Sequence, residues 1–108
     1  MAGAAILILT QMPDRASAQS LARSLVEARL AACVSIGAPV ESLYHWRGEI
    51  ETAQEVPVAV KTRAECYAEV EAAIRAQHPY ELPEILAVPV VHGLDQYLDW
   101  LAAETVAK

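Results

Sequence analysis

The stretch that decides the fold reads His78-Pro79-Tyr80-Glu81-Leu82-Pro83-Glu84. A residue that precedes proline is driven out of the helical region, so the helix upstream must end near Gln77. Pro83 fixes the start of the apolar run at 85–88, which is typical of a strand. An imidazole, a phenol and two carboxylates are therefore held on a stiff connection from a helix to a strand. Such a connection can present a preorganised binding site.

The hydrophobic pattern on both sides of this stretch predicts four strands and three helices. Four consecutive apolar residues, 6–9, predict a strand that is buried on both faces. Asp14 can cap the first helix, because its carboxylate accepts from the free N–H groups of the first turn. In chain order the predicted elements are a strand at 6–9, a helix at 15–31, a long strand at 33–46, a return strand at 50–62, a helix at 64–77, a strand at 85–91 and a short helix around 97–101.

This order, βαββαβ with a terminal helix, is that of a ferredoxin-like α+β fold in one domain spanning residues 1–108. The long strand is interrupted at Gly37-Ala38-Pro39, and Pro57 and Pro89 each predict an edge or an irregularity in their strands. The second and third strands are about twice the ordinary length, so they form a long hairpin that one small sheet cannot pair completely. We therefore expect strand pairing between the subunits of an oligomer.

The composition excludes several classes of protein. The 108 residues are 55% hydrophobic and 20% charged, which excludes a disordered chain. A formal net charge of −6 without a basic run disfavours binding to nucleic acid or to an anionic membrane, and mildly favours cations. No apolar run approaches the ~18 residues of a membrane-spanning helix, and the first residues do not resemble a secretory signal. Two cysteines without metal-ligand spacing, Cys33 and Cys66, predict reduced thiols in the cytoplasm.

Several motifs in one register carry a family resemblance that extends from about Ile6 to about Leu101. They are Ile8-Leu9-Thr10-Gln11-Met12-Pro13-Asp14, Leu30-Ala31-Ala32-Cys33-Val34, Ser42-Leu43-Tyr44-His45-Trp46-Arg47-Gly48-Glu49-Ile50, Val60-Lys61-Thr62, the stretch at 78–84 and Tyr97-Leu98-Asp99-Trp100-Leu101. With these motifs the chain resembles the divalent-cation tolerance (CutA) proteins, which are small trimers related in architecture to the nitrogen-regulatory PII proteins. The resemblance implies a homotrimer held by the long hairpin, with a binding role and no enzymatic one.

The resemblance also implies a ligand site between subunits. It places Cys33, Trp46, Lys61, Tyr80 and Glu84 in a cleft that takes a cofactor or a small effector. Lys61 ends an apolar strand and needs a carboxylate partner, for which Glu84 is the candidate by resemblance. From the residue types alone, such a pair marks either a ligand pocket or a structural ion pair. In the same way, Cys33 is either a soft ligand or a small core residue.

Copper or another divalent cation is the metal that the resemblance implies, and His78 is the candidate ligand. Imidazole and carboxylate suit copper, zinc and nickel, so His78 together with Glu81 or Glu84 is one interpretation. A structural histidine that complements the dipole at the end of a helix is the other. The family positions of the remaining copper ligands hold Gln77 and Thr10 here, which offer neutral oxygens instead of imidazole or thiolate.

Three functions stay open on the sequence alone. The first is a trimeric protein that binds a divalent cation or a small effector in clefts between subunits. The second is a structural assembly module without a physiological ligand. The third is a small acylphosphatase-like enzyme, which needs a phosphate-binding loop and an arginine after the first strand. Residues 10–14 read Thr-Gln-Met-Pro-Asp and contain no glycine, so we rank the enzyme last.

Overall fold

The structure, a computed structural model, describes residues 4–107 and confirms the order βαββαβ with a terminal helix. The interrupted second strand is divided in two, and a short 3-10 turn at Ala64–Cys66 precedes the second helix. No helix within residues 4–107 is long and apolar enough to cross a membrane. The elements are β1 (Ala5–Met12), α1 (Arg15–Glu27), β2 (Cys33–Ile36), β3 (Val40–Trp46), β4 (Glu49–Arg63), α2 (Tyr67–Gln77), β5 (Ile85–Pro89) and α3 (Asp95–Ala103).

One antiparallel sheet, in the order β2-β4-β1-β5, carries the fold, and α1 and α2 cover one face of it. Alternate residues of β1 and β4 are buried, as the side-chain period of two in a strand requires. These residues pack with the apolar stripes of the two helices into a single core. The largest fully buried apolar side chains are Ile8, Met12, Leu21, Leu25, Val58, Val60, Val70 and Ile74.

The opposite face of the sheet, which we call the open face, corrects the prediction that residues 6–9 are buried on both faces. Leu7 and Leu9 are only half-buried, in alternation with the buried residues of β1. Their partners on β5, Val88 and Leu86, are 43% and 56% exposed. A continuous apolar run does predict a strand. It does not tell whether the second face is covered by the same chain or by another one.

The predicted interruption at 37–39 is confirmed, and Pro57 on β4 explains it. In an antiparallel ladder, a hydrogen-bonded pair exchanges two N–H···O bonds. The N–H of Gly37 donates to the carbonyl of Pro57 at 2.9 Å, but proline has no N–H to donate in return. β2 therefore ends at Ile36. Pro57 lies at an irregularity of a central strand and Pro89 at the end of the edge strand β5, as the sequence predicts.

Replacing Gly37 with alanine is expected to lower the free energy of unfolding by about 1–3 kcal/mol, because the added methyl group overpacks the site. A Cβ at this position would lie 2.8 Å from Cγ of Pro57. Urea denaturation at a fixed protein concentration measures the loss. Pro57→Ala removes the ring, so the effect of Gly37→Ala should shrink in that background. Equal losses in both backgrounds would show that the two residues do not clash.

α1 begins as predicted, after the N-cap Asp14. The Oδ1 atom of Asp14 accepts from the backbone N–H of Ser17 at 2.7 Å. This hydrogen bond to the charged form of the carboxylate lowers the pKa of Asp14. The cap therefore satisfies one of the free N–H groups of the first turn at neutral pH.

The end of α1 corrects the predicted boundary at residue 31, since the helix ends at Glu27. Arg29 adopts a φ of 60°, and the N–H of Leu30 turns back to the carbonyl of Leu25 at 3.0 Å. A left-handed residue commonly ends a helix, but this position usually holds glycine. With arginine there, no local signal marks the end. The contacts made there come from residues far away in the chain, among them an ion pair between Arg29 and Glu104 at 3.4 Å.

α3 and the segment after it are attached to the end of β4 by Arg63. Nε of Arg63 donates to Oγ1 of Thr105, and Nη2 donates to the carbonyl of Thr105, both at 2.7 Å. Nη1 pairs with Glu65 at 3.2 Å, and only 17% of the Arg63 side chain is exposed. The N–H of Val106 donates to the carbonyl of Arg29 at 2.8 Å. The segment is thus attached both to the sheet and to the end of α1.

The β3–β4 hairpin extends beyond the sheet, as its length predicts. β3 pairs with residues 49–55 of β4, whereas β1 joins β4 only from Val56 onward. Arg47 and Gly48 form the turn with φ values of 51° and 81°. Two positive φ values match the tight turns whose twist suits an antiparallel hairpin. The extension places the hairpin tip beside the segment 80–84.

Candidate functional site

A cleft of about 750 Å³ opens between the hairpin and the segment 80–84, and we call it the hairpin cleft. Three of the five predicted cofactor-binding residues line it, namely Trp46 on β3 and Tyr80 and Glu84 in the segment. Tyr44 and Glu55 add a second phenol and a second carboxylate. Aromatic rings offer apolar faces, and carboxylates offer negative charge. The cleft can therefore hold a cation or a small ligand with an apolar face.

An ion pair at the tip of the hairpin closes one side of this cleft. Nη2 of Arg47 lies 3.1 Å from Oε2 of Glu81, and the guanidinium carbon lies 5.3 Å from the ring centroid of Trp46. The side chains of the ion pair are 72% and 73% exposed, so the pair contributes little to the stability of the fold. The ion pair shows instead that the hairpin tip lies against the segment 80–84.

Tyr80 lines the hairpin cleft from the segment 80–84, and Glu55, a buried residue of β4, lines the same cleft. Burial, followed by the negative charge of Glu55, raises the pKa of Tyr80. The fold thus favours the neutral phenol, so the associated stability is present below about pH 10 and is lost as the pH rises through the raised pKa. At neutral pH the phenol is a hydrogen-bond donor.

Glu55→Gln is expected to lower the pKa of Tyr80 toward its ordinary value, because the charge is removed while the shape of the side chain is kept. The pH dependence of tyrosinate absorbance measures the change, and Tyr80→Phe identifies the contribution of Tyr80. Glu27→Gln removes an exposed carboxylate on α1 and serves as the control, which should leave the titration unchanged. A Tyr80 titration that is the same with and without Glu55 would contradict the influence of Glu55 on this pKa.

His78 is buried, and both nitrogens of its ring have partners in the chain. Nε2 lies 2.6 Å from the carbonyl oxygen of Gln11, and Nδ1 accepts from the backbone N–H of Tyr80 at 3.2 Å. Because a carbonyl only accepts, Nε2 carries the hydrogen. The imidazole attaches the segment 80–84 to the end of β1. Coordination of a metal by His78 requires one of these two hydrogen bonds to break.

The other two positions that the resemblance implies for copper do not complete a metal site in one chain. Nε2 of Gln77 donates to Oγ of Ser24 on α1 at 2.9 Å. Thr10 is buried, and its Oγ1 has no hydrogen-bond partner. Among residues 4–107, no group of three His, Cys, Asp or Glu side chains is arranged to hold a metal ion. His78 as a copper ligand stays a prediction.

The remaining two predicted cofactor-binding residues, Cys33 and Lys61, lie together on the open face and not in the hairpin cleft. They are opposite each other in the pairing of β2 with β4, and Nζ of Lys61 lies 3.9 Å from Sγ of Cys33. Nζ also donates to Oγ of Ser35. Burial, followed by the influence of the Cys33 thiol, raises the pKa of the Tyr97 phenol on α3. Both cysteines are free, and Cys66 is a buried core residue.

Lys61 and Glu84 do not pair within one chain. Lys61 is opposite Leu7 on β1, whereas Glu84 precedes Ile85, which is opposite Thr10. About four residues along the strands and two strand spacings separate their backbones by roughly 16 Å, more than the two side chains can span. The predicted pair therefore requires a second copy of the chain.

Four further residues belong to these sites and are not predicted from the sequence. Ser35 has a usable signal, because it lies two residues after Cys33 and thus on the same face of the strand. The contacts of the others join elements that are far apart in the chain, and no local pattern carries them. These residues are Arg47, Glu55 and Tyr97.

Comparison with known proteins extends the resemblance to most of the chain. The family described as "CutA1 divalent ion tolerance protein" matches residues 6–104. The "Divalent-cation tolerance protein CutA" of Thermus thermophilus is 40% identical over 99 residues, which are 92% of this chain and 96% of the relative. The protein of that name from Pectobacterium atrosepticum is 43% identical over 99 residues, which are 92% of this chain and 90% of the relative.

A solved structure agrees with the fold as well. The crystal structure of CutA1 from Oryza sativa matches with a TM-score of 0.95 and 32% sequence identity, and the match covers 99% of this chain and 98% of that chain. Sequence and fold therefore agree over nearly the whole length, and not only at the stretch 78–84. This chain belongs to the CutA1 family of divalent ion tolerance proteins.

Proposed function

We propose that this chain is a non-enzymatic binding protein that assembles as a homotrimer and takes up a divalent cation such as copper, or a small effector, in clefts between its subunits. The observation that carries the proposal is the hairpin cleft of about 750 Å³, whose lining combines aromatic rings with carboxylates. The names of the relatives support it, since they refer to tolerance of divalent cations and to no enzymatic reaction.

Exposed apolar side chains support the assembly. Leu43 and Ile50 lie on the same face of the hairpin and are 66% and 70% exposed, and Leu86 on β5 is 56% exposed. Burial of each such side chain against a partner is favourable by about 1.5–3 kcal/mol. The hairpin also has backbone groups free to pair with a strand of another subunit. Sedimentation equilibrium should give three times the chain mass of 11.7 kDa, and a single-chain mass at micromolar concentration would contradict the trimer.

For copper, we propose His78 as the ligand that this chain supplies. Nδ1 of His78 accepts the N–H of Tyr80, so this nitrogen already has its lone pair directed outward from the ring and needs no change of tautomer to coordinate a cation. The hydrogen bond from Tyr80 would be exchanged for the metal bond. A carboxylate of the hairpin cleft, from Glu81 or Glu84, is a suitable second ligand for copper.

Replacing His78 with glutamine is expected to weaken copper binding at least about tenfold, because an amide is a poor ligand where imidazole is a good one. Calorimetric titration with Cu(II), Ni(II) and Zn(II) measures the affinities, of which that for Cu(II) should be the highest. His45→Gln and His92→Gln are matched controls at exposed histidines and should leave the affinity unchanged. Undiminished copper binding by a trimeric His78→Gln protein would exclude His78 as the ligand.

The structural assembly module is the second candidate, and the geometry of His78 favours it. Both ring nitrogens are engaged in hydrogen bonds that attach the segment 80–84 to β1. A histidine in this position can be needed for the fold alone. Titrations of the intact trimer with copper, zinc and nucleotides separate the two candidates, since a module of this kind should bind none of them.

The cytoplasm is the location that we propose. Cys33 and Cys66 are both free, and unpaired thiols suit a reducing compartment. Fractionation of the source cells with an antibody against the chain tests the location, and recovery outside the cytoplasm would contradict it.

A further inference from the structure

Lys61 is a partly buried cation without a carboxylate partner in its own chain. Its ammonium group contacts Cys33 and Ser35, and no carboxylate of residues 4–107 forms an ion pair with it. A partly buried charge without a counter-charge is unfavourable. The surroundings of Lys61 therefore suit an anion, and they repel a divalent cation.

The contacts of Lys61 with Ser35 and Cys33 leave one N–H donor of its ammonium group without a partner among the hydrogen bonds of residues 4–107. An ammonium group has three N–H donors, and those of Lys61 that have partners point to Ser35 and Cys33. Because Ser35 accepts from Lys61, its own hydroxyl hydrogen can be donated elsewhere. A free N–H of Lys61 thus lies beside the O–H of Ser35. Two adjacent donors, one of them charged, are the arrangement that the oxygens of a carboxylate or a phosphate accept.

Ser35 lines a cavity of about 380 Å³ on the open face, which we call the sheet cavity. Lys61 is not part of this lining, but it donates to Ser35 and so lies next to the cavity. Part of its wall accepts hydrogen bonds. Oε1 of Gln11 is buried without a hydrogen-bond partner, and the carboxylate of Glu84 lies on the same side. A buried acceptor without a donor is unfavourable, so a ligand should bring a donor to this side. The apolar wall is formed by Leu9, Pro57 and Ala59.

We propose that the sheet cavity binds a small organic carboxylate that carries a hydrogen-bond donor, such as an ammonium group, at its other end. The carboxylate of the ligand contacts Lys61 and Ser35, its short apolar body lies on the apolar wall, and its donor group meets Gln11 and Glu84. This inference rests on the proposed function in treating the chain as a binding protein. It deepens that function by identifying the chemical class of the effector and by placing the effector in the sheet cavity, which shares Glu84 with the hairpin cleft.

Titration of the assembled, ¹⁵N-labelled protein with γ-aminobutyrate tests the proposal. We expect shifts of the amide resonances around Ser35 and Gln11. Butyrate lacks the amino group and should bind more weakly, and butyramide lacks the negative charge and should not bind measurably. Inorganic phosphate, which has the charge without the apolar body, should also bind more weakly than γ-aminobutyrate.

Variants of this chain test the residues. Lys61→Met removes the charge and keeps an apolar stem, and it should weaken γ-aminobutyrate binding at least about tenfold, since hydrogen bonds to charged groups are the strong ones. Ser35→Ala is a milder change at an exposed position and should weaken binding about threefold or more. Arg23→Met removes an exposed cation on α1 and should have no effect.

Three results would overturn the inference. The first is butyramide binding as tightly as γ-aminobutyrate, and the second is unchanged binding in Lys61→Met. The third is a Lys61→Met protein that sediments as a single chain, which would show that Lys61 pairs with a carboxylate of a second copy, such as Glu84. Copper titration of the same sample keeps the two proposals apart, because copper binding without anion binding overturns only this one. Anion binding without copper binding overturns only the cation assignment.

Discussion

Arg63→Met is expected to lower the free energy of unfolding by about 2–4 kcal/mol, since hydrogen bonds to charged groups contribute roughly 1.5–3 kcal/mol each. Methionine keeps the apolar stem but removes both hydrogen bonds to Thr105 and the ion pair with Glu65. The carbonyl of Thr105, a residue that is 3% exposed, is left without these donors. Urea denaturation measures the loss, at one protein concentration because the stability of an oligomer depends on it.

Arg75→Met is the matched control for this change, because Arg75 is an exposed arginine of α2. It should change the free energy of unfolding by less than about 0.5 kcal/mol. Thr105→Val tests the contact from the other side, and its effect should be strongly non-additive with Arg63→Met if the two side chains act as a unit. Equal losses for Arg63→Met and Arg75→Met would show that the attachment of α3 does not depend on Arg63.

The double variant Leu43→Asp, Ile50→Asp is expected to convert the proposed trimer into single chains. Both side chains are on one face of the hairpin extension and are more than half exposed in one chain. If that face is covered in the trimer, each subunit of the variant would have to bury two unpaired carboxylates there. The free-energy cost of burying these charges is much larger than the free energy gained by burying two aliphatic side chains. Sedimentation velocity measures the change in mass.

The control for the charge change is Gln19→Asp, Ser20→Asp, which adds the same two charges to the exposed surface of α1. This variant should remain trimeric. The single-chain protein should still have the far-ultraviolet circular dichroism of α1 and α2, since their core does not include the hairpin extension. A double hairpin variant that still sediments as a trimer would place the interface elsewhere on the chain.

Most of the fold can be predicted from local patterns in the sequence. The two prolines of the stretch 78–84 determine where α2 ends and where β5 begins, and Asp14 determines where α1 begins. These signals restrict the conformation of a few consecutive residues, so the ends of these elements can be predicted without knowledge of tertiary contacts. The interruption between β2 and β3 belongs to the same class, although its cause, Pro57, is a residue of the partner strand.

The errors have one common origin, which is that tertiary contacts leave no local pattern. Arg29 ends α1 with a backbone conformation that usually needs glycine, and the contacts with Glu104 and Val106 that accompany it come from the other end of the chain. Likewise, the apolar run of β1 does not show that only one face of the sheet is covered by this chain. In both cases the decisive neighbour is remote in sequence or absent from the chain.

The predicted site residues also depend on contacts that local patterns do not reveal. Family resemblance gives five cofactor-binding residues as one set, but the register of the strands separates them into two places. Trp46, Tyr80 and Glu84 line the hairpin cleft, whereas Cys33 and Lys61 lie on the open face. Residue types predict that these side chains bind a ligand. Only the strand pairing shows which of them can contact the same ligand.

In the proposed trimer, the hairpin extension should link ligand uptake thermodynamically to assembly. Residues 49–55 of β4 pair only with β3 within residues 4–107, and a two-stranded ribbon in water is marginal by itself. In the proposed trimer, one wall of the hairpin cleft is therefore a local folding unit whose order should come largely from the neighbouring subunits. A ligand that needs this wall then favours the trimer to the same degree that the trimer favours the ligand. The apparent affinity of the protein for such a ligand should accordingly rise with the protein concentration. The abundance of the protein in the cell would then determine how sensitive it is to the ligand.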